Sequence, residues 1–194
     1  MIAIIDYKMG NLRSVENALR RLGAEFVVTA DAEQIRKADK VLLPGVGNAA
    51  EAMENLREAG LVDVIRSLRR PVLGICVGMQ VMCRHSEEGN VDCLGIFDAR
   101  VKRFVPSAEE KVPHMGWNSI GNLETKLFKD IEGGEMVYFV HSYYPELCPD
   151  TIATTRHGVM FSAALKYENF YGTQFHPEKS GDVGERIIAN FLKL

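Results

Sequence analysis

Cys76 lies in the run Pro71-Val72-Leu73-Gly74-Ile75-Cys76-Val77-Gly78-Met79-Gln80. An apolar strand pattern meets a cysteine bracketed by glycines, and a helix-like stretch follows. This spacing is the cysteine form of the nucleophile elbow. A tight strand-to-helix turn lifts the nucleophile clear of the sheet, and small neighbours let backbone and substrate approach it. A lone cysteine is by default a small core residue. The flanking glycines and the strand-then-helix context reverse that default here. Cys83, Cys93 and Cys148 lack the context and are read as core or surface thiols.

A cysteine attacks as thiolate, while a free thiol titrates at about 8.5, so the reaction needs a base. Among five histidines, His176 stands out in Gln174-Phe175-His176-Pro177-Glu178-Lys179-Ser180. In extended backbone, positions i and i+2 face the same way. Glu178 can therefore reach the ring nitrogen of His176 that does not face the thiol, fix its tautomer and stabilise the imidazolium. His-x-Glu alone is more often a surface pair. Its position after a strand, held by Pro177, makes His176 the candidate base. A developing oxyanion needs backbone donors, which Gly45 to Gly47 in Pro44-Gly45-Val46-Gly47 and the amide of Val77 can offer. No GxGxxG or GxxxxGK[ST] phosphate loop occurs.

The elements that must position these residues alternate through the first half. Ile2 to Ile5 predicts a buried strand. Leu12, Val15, Leu19 and Leu22 recur at helical spacing, with Gly23 as C-cap. Phe26 to Val28, Val41 to Leu43 and Val72 to Ile75 predict three further strands. Asn48 with Glu51 resembles a capping box opening a helix to about Ala59, and Leu61, Val64, Ile65 and Leu68 predict another. Such alternation implies a doubly wound, mostly parallel α/β sheet with helices on both faces. From about residue 91, strand-like runs dominate: Ile96 to Val105, Met136 to Tyr143, Ile152 to Thr155, Phe161 to Tyr167 and Tyr171 to Phe175. They predict a mixed or antiparallel extension. Asp182 and Glu185 are expected to cap a last helix, with Val183, Ile187, Ile188 and Phe191 on one face.

The 194 residues are 46% hydrophobic and 25% charged, with a net charge of −3. They fit one domain, 1–194, able to bury roughly 70% of its unfolded surface. The charge gives no sign of nucleic-acid binding. The start, MIAIIDYKMG, lacks the basic flank of a signal peptide, and the Pro71 to Cys83 stretch is too short to span a bilayer. No C-x-x-C pair suggests zinc, and reduced cysteines fit a cytoplasmic protein. No metal or cofactor is expected.

Together these residues resemble the class I, triad-type glutamine amidotransferases, whose flavodoxin-like fold would then apply. Gly74 to Gln80 matches G-x-C-x-G-x-Q, and His176 to Glu178 matches the distal H-P-E. Within that family, Pro113-His114-Met115-Gly116-Trp117-Asn118, Tyr138-Phe139-Val140-His141-Ser142-Tyr143 and the Glu178-Lys179-Ser180 ending are similar to the glutaminase subunits of imidazole glycerol phosphate synthases. The resemblance runs from the first strand to the last helix. It implies that Cys76 attacks the side-chain amide of glutamine, assisted by His176 and Glu178. Gly45, Val46, Gly47 and Val77 would serve the oxyanion. Gln80, Glu88, Ser142 and Tyr143 would line the glutamine pocket, with Glu88 meeting the substrate ammonium. It further implies a heterodimer with a (β/α)₈ cyclase that receives the ammonia, and an oxyanion turn at Gly45-Val46 that is completed only when the cyclase binds its own substrate. Gly10-Asn11-Leu12-Arg13 and Trp117 are candidate interface elements, while Trp117 could equally be core. His114 and His141 are read as structural. The elbow alone would also fit a glutaminase subunit of another synthase, or an inactive binding module of the same fold.

Overall fold

The computed structural model describes residues 1–108 and 110–194. The first half runs β1 (Ile2–Ile5), α1 (Leu12–Arg21), β2 (Phe26–Thr29), α2 (Ala32–Lys37), β3 (Lys40–Gly45), α3 (Ala49–Glu58), α4 (Val62–Arg66), β4 (Val72–Cys76) and α5 (Val77–Gln80). The second half contributes β5 (His85–Ser86), β6 (Val91–Asp92), β7 (Arg100–Arg103), β8 (His114–Ser119), β9 (Met136–His141), β10 (Tyr143–Pro145), β11 (Thr151–His157), β12 (Val159–Tyr167), β13 (Phe170–Thr173) and α6 (Gly181–Leu192).

The main sheet has seven strands in the order β11-β12-β13-β4-β3-β1-β2. From β13 through β2 every pairing is parallel, while β11, β12 and β13 form an antiparallel arm. Every residue of β1 and β4 is buried, so helices and connections cover both faces. Such strands read as continuous apolar runs rather than alternating ones. The α/β fold and its mixed extension therefore appear as expected. Two smaller sheets, β10-β7-β5-β6 and the β8-β9 ribbon, lie outside the main one.

The register decides where chemistry can occur. Gly45 at the carboxyl end of β3 sits opposite Cys76 at the carboxyl end of β4. Open α/β sheets bind ligands beyond these ends, beside the point where strand order reverses. Here β1 lies between β2 and β3.

Four local expectations are corrected. Helix α2 has no counterpart in the sequence pattern: Asp31 caps it by accepting from the Gln34 amide at 2.8 Å, but it is short and buries only Ile35. The run Ile96 to Val105 is strand only over β7. Its start instead turns under α5, where the amides of Leu94, Gly95, Ile96 and Phe97 donate to carbonyls of residues 81–83. Met136 to Tyr143 breaks at Ser142, whose carbonyl accepts from the Phe104 amide at 3.0 Å, and β10 then pairs with β7 rather than β8. The cap of α6 is Ser180, not Asp182 or Glu185. Asp182 stands in the first turn, where a negative charge suits the helix dipole, and Glu185 pairs with Arg21 at 3.0 Å.

A Cβ at Gly78 would run into the Leu43 carbonyl of β3, whereas one at Gly95 meets nothing within 4 Å. Gly78→Ala is expected to cost at least about 3 kcal/mol by urea denaturation. Gly95→Ala, strained only by its φ of +66°, should cost about 1 kcal/mol.

Candidate active site

Cys76 adopts φ 54° and ψ −113°, outside the normal range for a side-chain-bearing residue. Such a conformation costs about 1–3 kcal/mol and persists only where surrounding structure enforces it. Here α5 begins at the next residue and packs directly on β3 and β4. Gly78 lies against the Leu43 carbonyl, and Gly74 lies against Gly78 and the tip of Met82. With no room for a Cβ at either glycine, the elbow closes tightly and presents the sulfur beyond the sheet. The Cys76 sulfur lies 3.9 Å from the Val140 carbonyl and 3.6 Å from Gln174 Nε2.

His176 arrives from the end of β13. Its amide donates to the Tyr138 carbonyl at 2.9 Å. The Ser180 hydroxyl donates to the His176 carbonyl at 2.6 Å and accepts from the Tyr138 amide at 2.9 Å. This use of its hydroxyl explains why Ser180, although the cap residue of α6, makes no side-chain capping bond. A Cβ at Gly184 would strike the Pro177 carbonyl, so α6 packs tightly on the His-Pro-Glu turn.

His176 Nδ1 donates to Glu178 Oε1 at 2.8 Å, and both side chains are only 2% exposed. Nε2 makes no hydrogen bond of ordinary geometry in this resting state. Since Nδ1 is taken by Glu178, interaction with Cys76 falls to Nε2. Burial opposes protonation of the ring, but hydrogen bonding and charge from Cys76 and Glu178 outweigh it and raise the His176 pKa to about 10. Hydrogen bonding to the charged form and a nearby opposite charge both favour imidazolium over imidazole.

A cleft of roughly 480 Å³ opens over the sulfur. Val46, Gly47, Val77, Gln80, Glu88, Ser142 and Tyr143 all line it, together with Cys76 and His176. Gly45 does not: it lies behind the cleft, where a Cβ would meet the Tyr7 hydroxyl and the Gly78 amide. Glu88 accepts from the Ala49 amide at 2.8 Å, at the start of α3. Burial raises its pKa, and that hydrogen bond opposes the rise. Its neighbour Glu87 turns away to accept from the Arg103 amide at 2.8 Å, so the two carboxylates do not act as one exposed pair.

Gln80 is buried, and both its amide hydrogens are engaged, one with the Tyr143 carbonyl at 2.9 Å and one with Gln174 Oε1 at 2.8 Å. His141 Nδ1 also donates to the Tyr143 carbonyl, at 2.7 Å. His141 Nε2 must then accept from His114 Nδ1 at 2.9 Å, and His114 Nε2 from Asn118 at 3.2 Å. Burial holds the pKa of His114 down to about 4 and that of His141 to about 3. Both rings stay neutral and satisfied, although His141 does line the cleft.

Sequence reasoning missed Val140 and His141 as cleft residues, the buried Tyr7 hydroxyl, and Gln174. Burial and the nearness of Cys76 push the Tyr7 pKa up. Gln174 stands two residues before His176 in the same Gln-Phe-His-Pro-Glu run, but β13 ends at Thr173 and the chain bends at Gln174, so no strand spacing marks it. Among the described residues no three His, Cys, Asp or Glu side chains come together to hold a metal ion.

The glutamine amidotransferase class-I family profile matches residues 3–194. The chain is 61% identical to the imidazole glycerol phosphate synthase subunit HisH of Bacteroides fragilis, over all of this chain and 99% of that protein. It is 58% identical to the subunit of the same name from Bacteroides thetaiotaomicron, with the same coverage. Among solved structures, PurLQS from Thermotoga maritima superposes with a TM-score of 0.71 at 18% identity, covering 99% of this chain and 97% of that one. That likeness concerns the fold alone.

A histidine that titrates at about 6.5 when unfolded and at about 10 when folded stabilises the fold fully below pH 6.5. That contribution is lost as pH rises through about 10. The stability difference between the wild type and His176→Gln should therefore be largest near pH 6 and shrink toward pH 10, measured by urea denaturation at several pH values. A difference that grows with pH would contradict the assignment of charge at His176.

Proposed function

The chain belongs to the glutamine amidotransferase class-I family, and on that premise we propose that it is the glutaminase subunit of an imidazole glycerol phosphate synthase. It would hydrolyse glutamine and deliver the ammonia to a (β/α)₈ cyclase for imidazole glycerol phosphate and AICAR formation in histidine biosynthesis. The observation that carries the reading is the buried His176–Glu178 pair beside Cys76 at one cleft, in a chain that matches proteins of that name along its whole length.

In this mechanism the Cys76 thiolate attacks the side-chain carbonyl carbon of glutamine. The amides of the Val46-Gly47 segment and of Val77 hold the oxyanion. As the tetrahedral species collapses, the carbon–nitrogen bond breaks and His176 Nε2 gives its proton to the departing ammonia. The neutral imidazole then takes a proton from water, which attacks the thioester. Glutamate leaves and the thiolate is restored. Glu178 keeps Nδ1 protonated throughout and compensates the imidazolium charge. Glu88, half-buried at the cleft wall, supplies the negative charge for the substrate ammonium, and Gln80, Ser142 and Tyr143 shape the remaining wall.

An exposed apolar face supports a docked partner. On the β8-β9 ribbon, Met115 pairs with Val140, Trp117 with Tyr138 and Ser119 with Met136. Met115 and Trp117 are 63% and 54% exposed. Val140 in turn lines the cleft, so this face runs to the mouth of the site. Trp117, left open between core and interface by the sequence, lies at the surface. The Gly10 turn has a different position: Gly10 packs against Pro44, and Asn11 caps α1. It buttresses the oxyanion segment from behind. No helix among the described residues is long and apolar enough to cross a membrane, and a biosynthetic subunit of this kind would work in the cytoplasm on a small-molecule substrate, without nucleic acid.

Cys76→Ala in the assembled complex should abolish glutamine-dependent synthesis and leave ammonia-dependent synthesis intact. Retained glutamine-dependent synthesis would refute Cys76 as nucleophile. The isolated chain should turn glutamine over slowly, and the rate should rise at least about tenfold when the cyclase and its ligand are added. An unchanged rate would remove the regulatory part of the reading, which rests on the glycines on either side of Val46.

A further inference from the structure

We propose that Gln174 is a positioning residue for the nucleophile: its side-chain amide donates to the Cys76 sulfur, in an orientation imposed by Gln80. The inference rests on Cys76 being the nucleophile, as argued above, and assigns a role to a residue outside the triad and the glutamine pocket.

The orientation follows from the donors and acceptors alone. The Tyr143 carbonyl can only accept. The Gln80 side-chain atom 2.9 Å from it must therefore be the nitrogen. That nitrogen also lies 2.8 Å from the Gln174 side chain, so the Gln174 atom it meets must be the oxygen. The other atom of the Gln174 amide, 3.6 Å from the Cys76 sulfur, is then the nitrogen. Reversing Gln174 would set two N–H groups against each other and place an acceptor against a thiolate. Gln174 is fully buried, and its backbone amide is tied to the Ala163 carbonyl at 2.8 Å, so it has no solvent to turn toward.

An N–H aimed at sulfur does two things. It favours the thiolate over the thiol, because a hydrogen bond to a charged acceptor is the stronger one. It also fixes where the sulfur sits relative to His176 Nε2, the ring nitrogen left free by Glu178. The Val140 carbonyl, 3.9 Å away, can accept from a thiol but offers nothing to a thiolate. The titratable groups around the sulfur are His176, backed by Glu178, the buried Tyr7 behind it, and Glu88, His141 and Tyr143 on the walls of the same cleft. Gln174 is thus the neutral donor of the set. Through Gln80 it is bonded to the Tyr143 carbonyl, and so to the cleft wall.

The test is alkylation of Cys76 by iodoacetamide across pH, read by mass spectrometry of the Cys76 peptide, beside glutamine turnover in the complex. Gln174→Met keeps the volume and removes the donor. Its Cys76 alkylation should slow roughly tenfold at pH 7 and its profile should move to higher pH, while kcat falls by a similar factor and KM for glutamine changes less than threefold. Gln174→Glu matches the shape and still accepts from Gln80, but faces the sulfur with a carboxylate. It should slow alkylation further, and it decides the matter if the methionine variant does not fold. A wild-type alkylation profile in the folded variant overturns the proposal. It does so without touching the assignment of the nucleophile, which stands or falls with Cys76→Ala.

Discussion

The left-handed turn at Cys76 exists because α5 starts in direct backbone contact with β3. Gly78 approaches the Leu43 carbonyl more closely than any side chain permits, and Gly74 leaves space for Gly78 and Met82 on the other side. A cysteine at φ 54° would relax if the helix behind it could shift. It cannot shift, because the segment 94–97 is hydrogen-bonded into the carbonyls at the end of that helix. Packing at two glycines and a loop therefore sets the position of one sulfur atom, and the remaining groups of the site are arranged around that position.

Two further sets of bonds meet at the same place. One runs from β9 through Ser180 to the His176 backbone, so that the imidazole is held by the ribbon as well as by its own strand. The other converges on the Tyr143 carbonyl, which accepts from both Gln80 and His141. The second set continues through His114 to Asn118 on β8. Both histidines are neutral because burial penalises their charged forms. The ribbon that carries the exposed Met115 and Trp117 is thus joined by short, fully satisfied bonds to the cleft beneath it. A partner seated on that ribbon would press on elements already bonded to His176 and to the cleft wall.

The periodic parts of the fold were legible because their burial is continuous or strictly amphipathic. β1 and β4 are uninterrupted apolar runs, β3 is one after Lys40, and α1 closes at Gly23, whose φ is +66°. What escaped were elements too short to carry a period. Helix α2 has one buried residue, and β5 and β6 have two residues each. The break at Ser142 was also hidden, since Met136 to Tyr143 alternates well enough for one strand. The partner of each strand is a tertiary matter: β10 leaves the ribbon because its register with β7 is available.

For the site, the sequence by itself determined which groups could react. A cysteine between glycines, a histidine two residues before a glutamate, and a glycine-rich strand end are local facts of chemistry and conformation, and local spacing is enough to recognise them. It also pointed to the His176–Glu178 contact, though through the wrong geometry: the pair closes across a 3₁₀ turn over Pro177–Lys179 that His176 caps, not along extended backbone. Only the tertiary structure decided that Cys76 meets His176, since they are a hundred positions apart in the sequence and are joined by the parallel pairing of β13 with β4. It likewise decided that Gly45 backs the cleft rather than lining it, that Glu88 is held by α3, and that Gln174 points its nitrogen at sulfur. Each of those outcomes depends on donors, acceptors and van der Waals surfaces brought together from distant parts of the chain, and no spacing along the sequence encodes them.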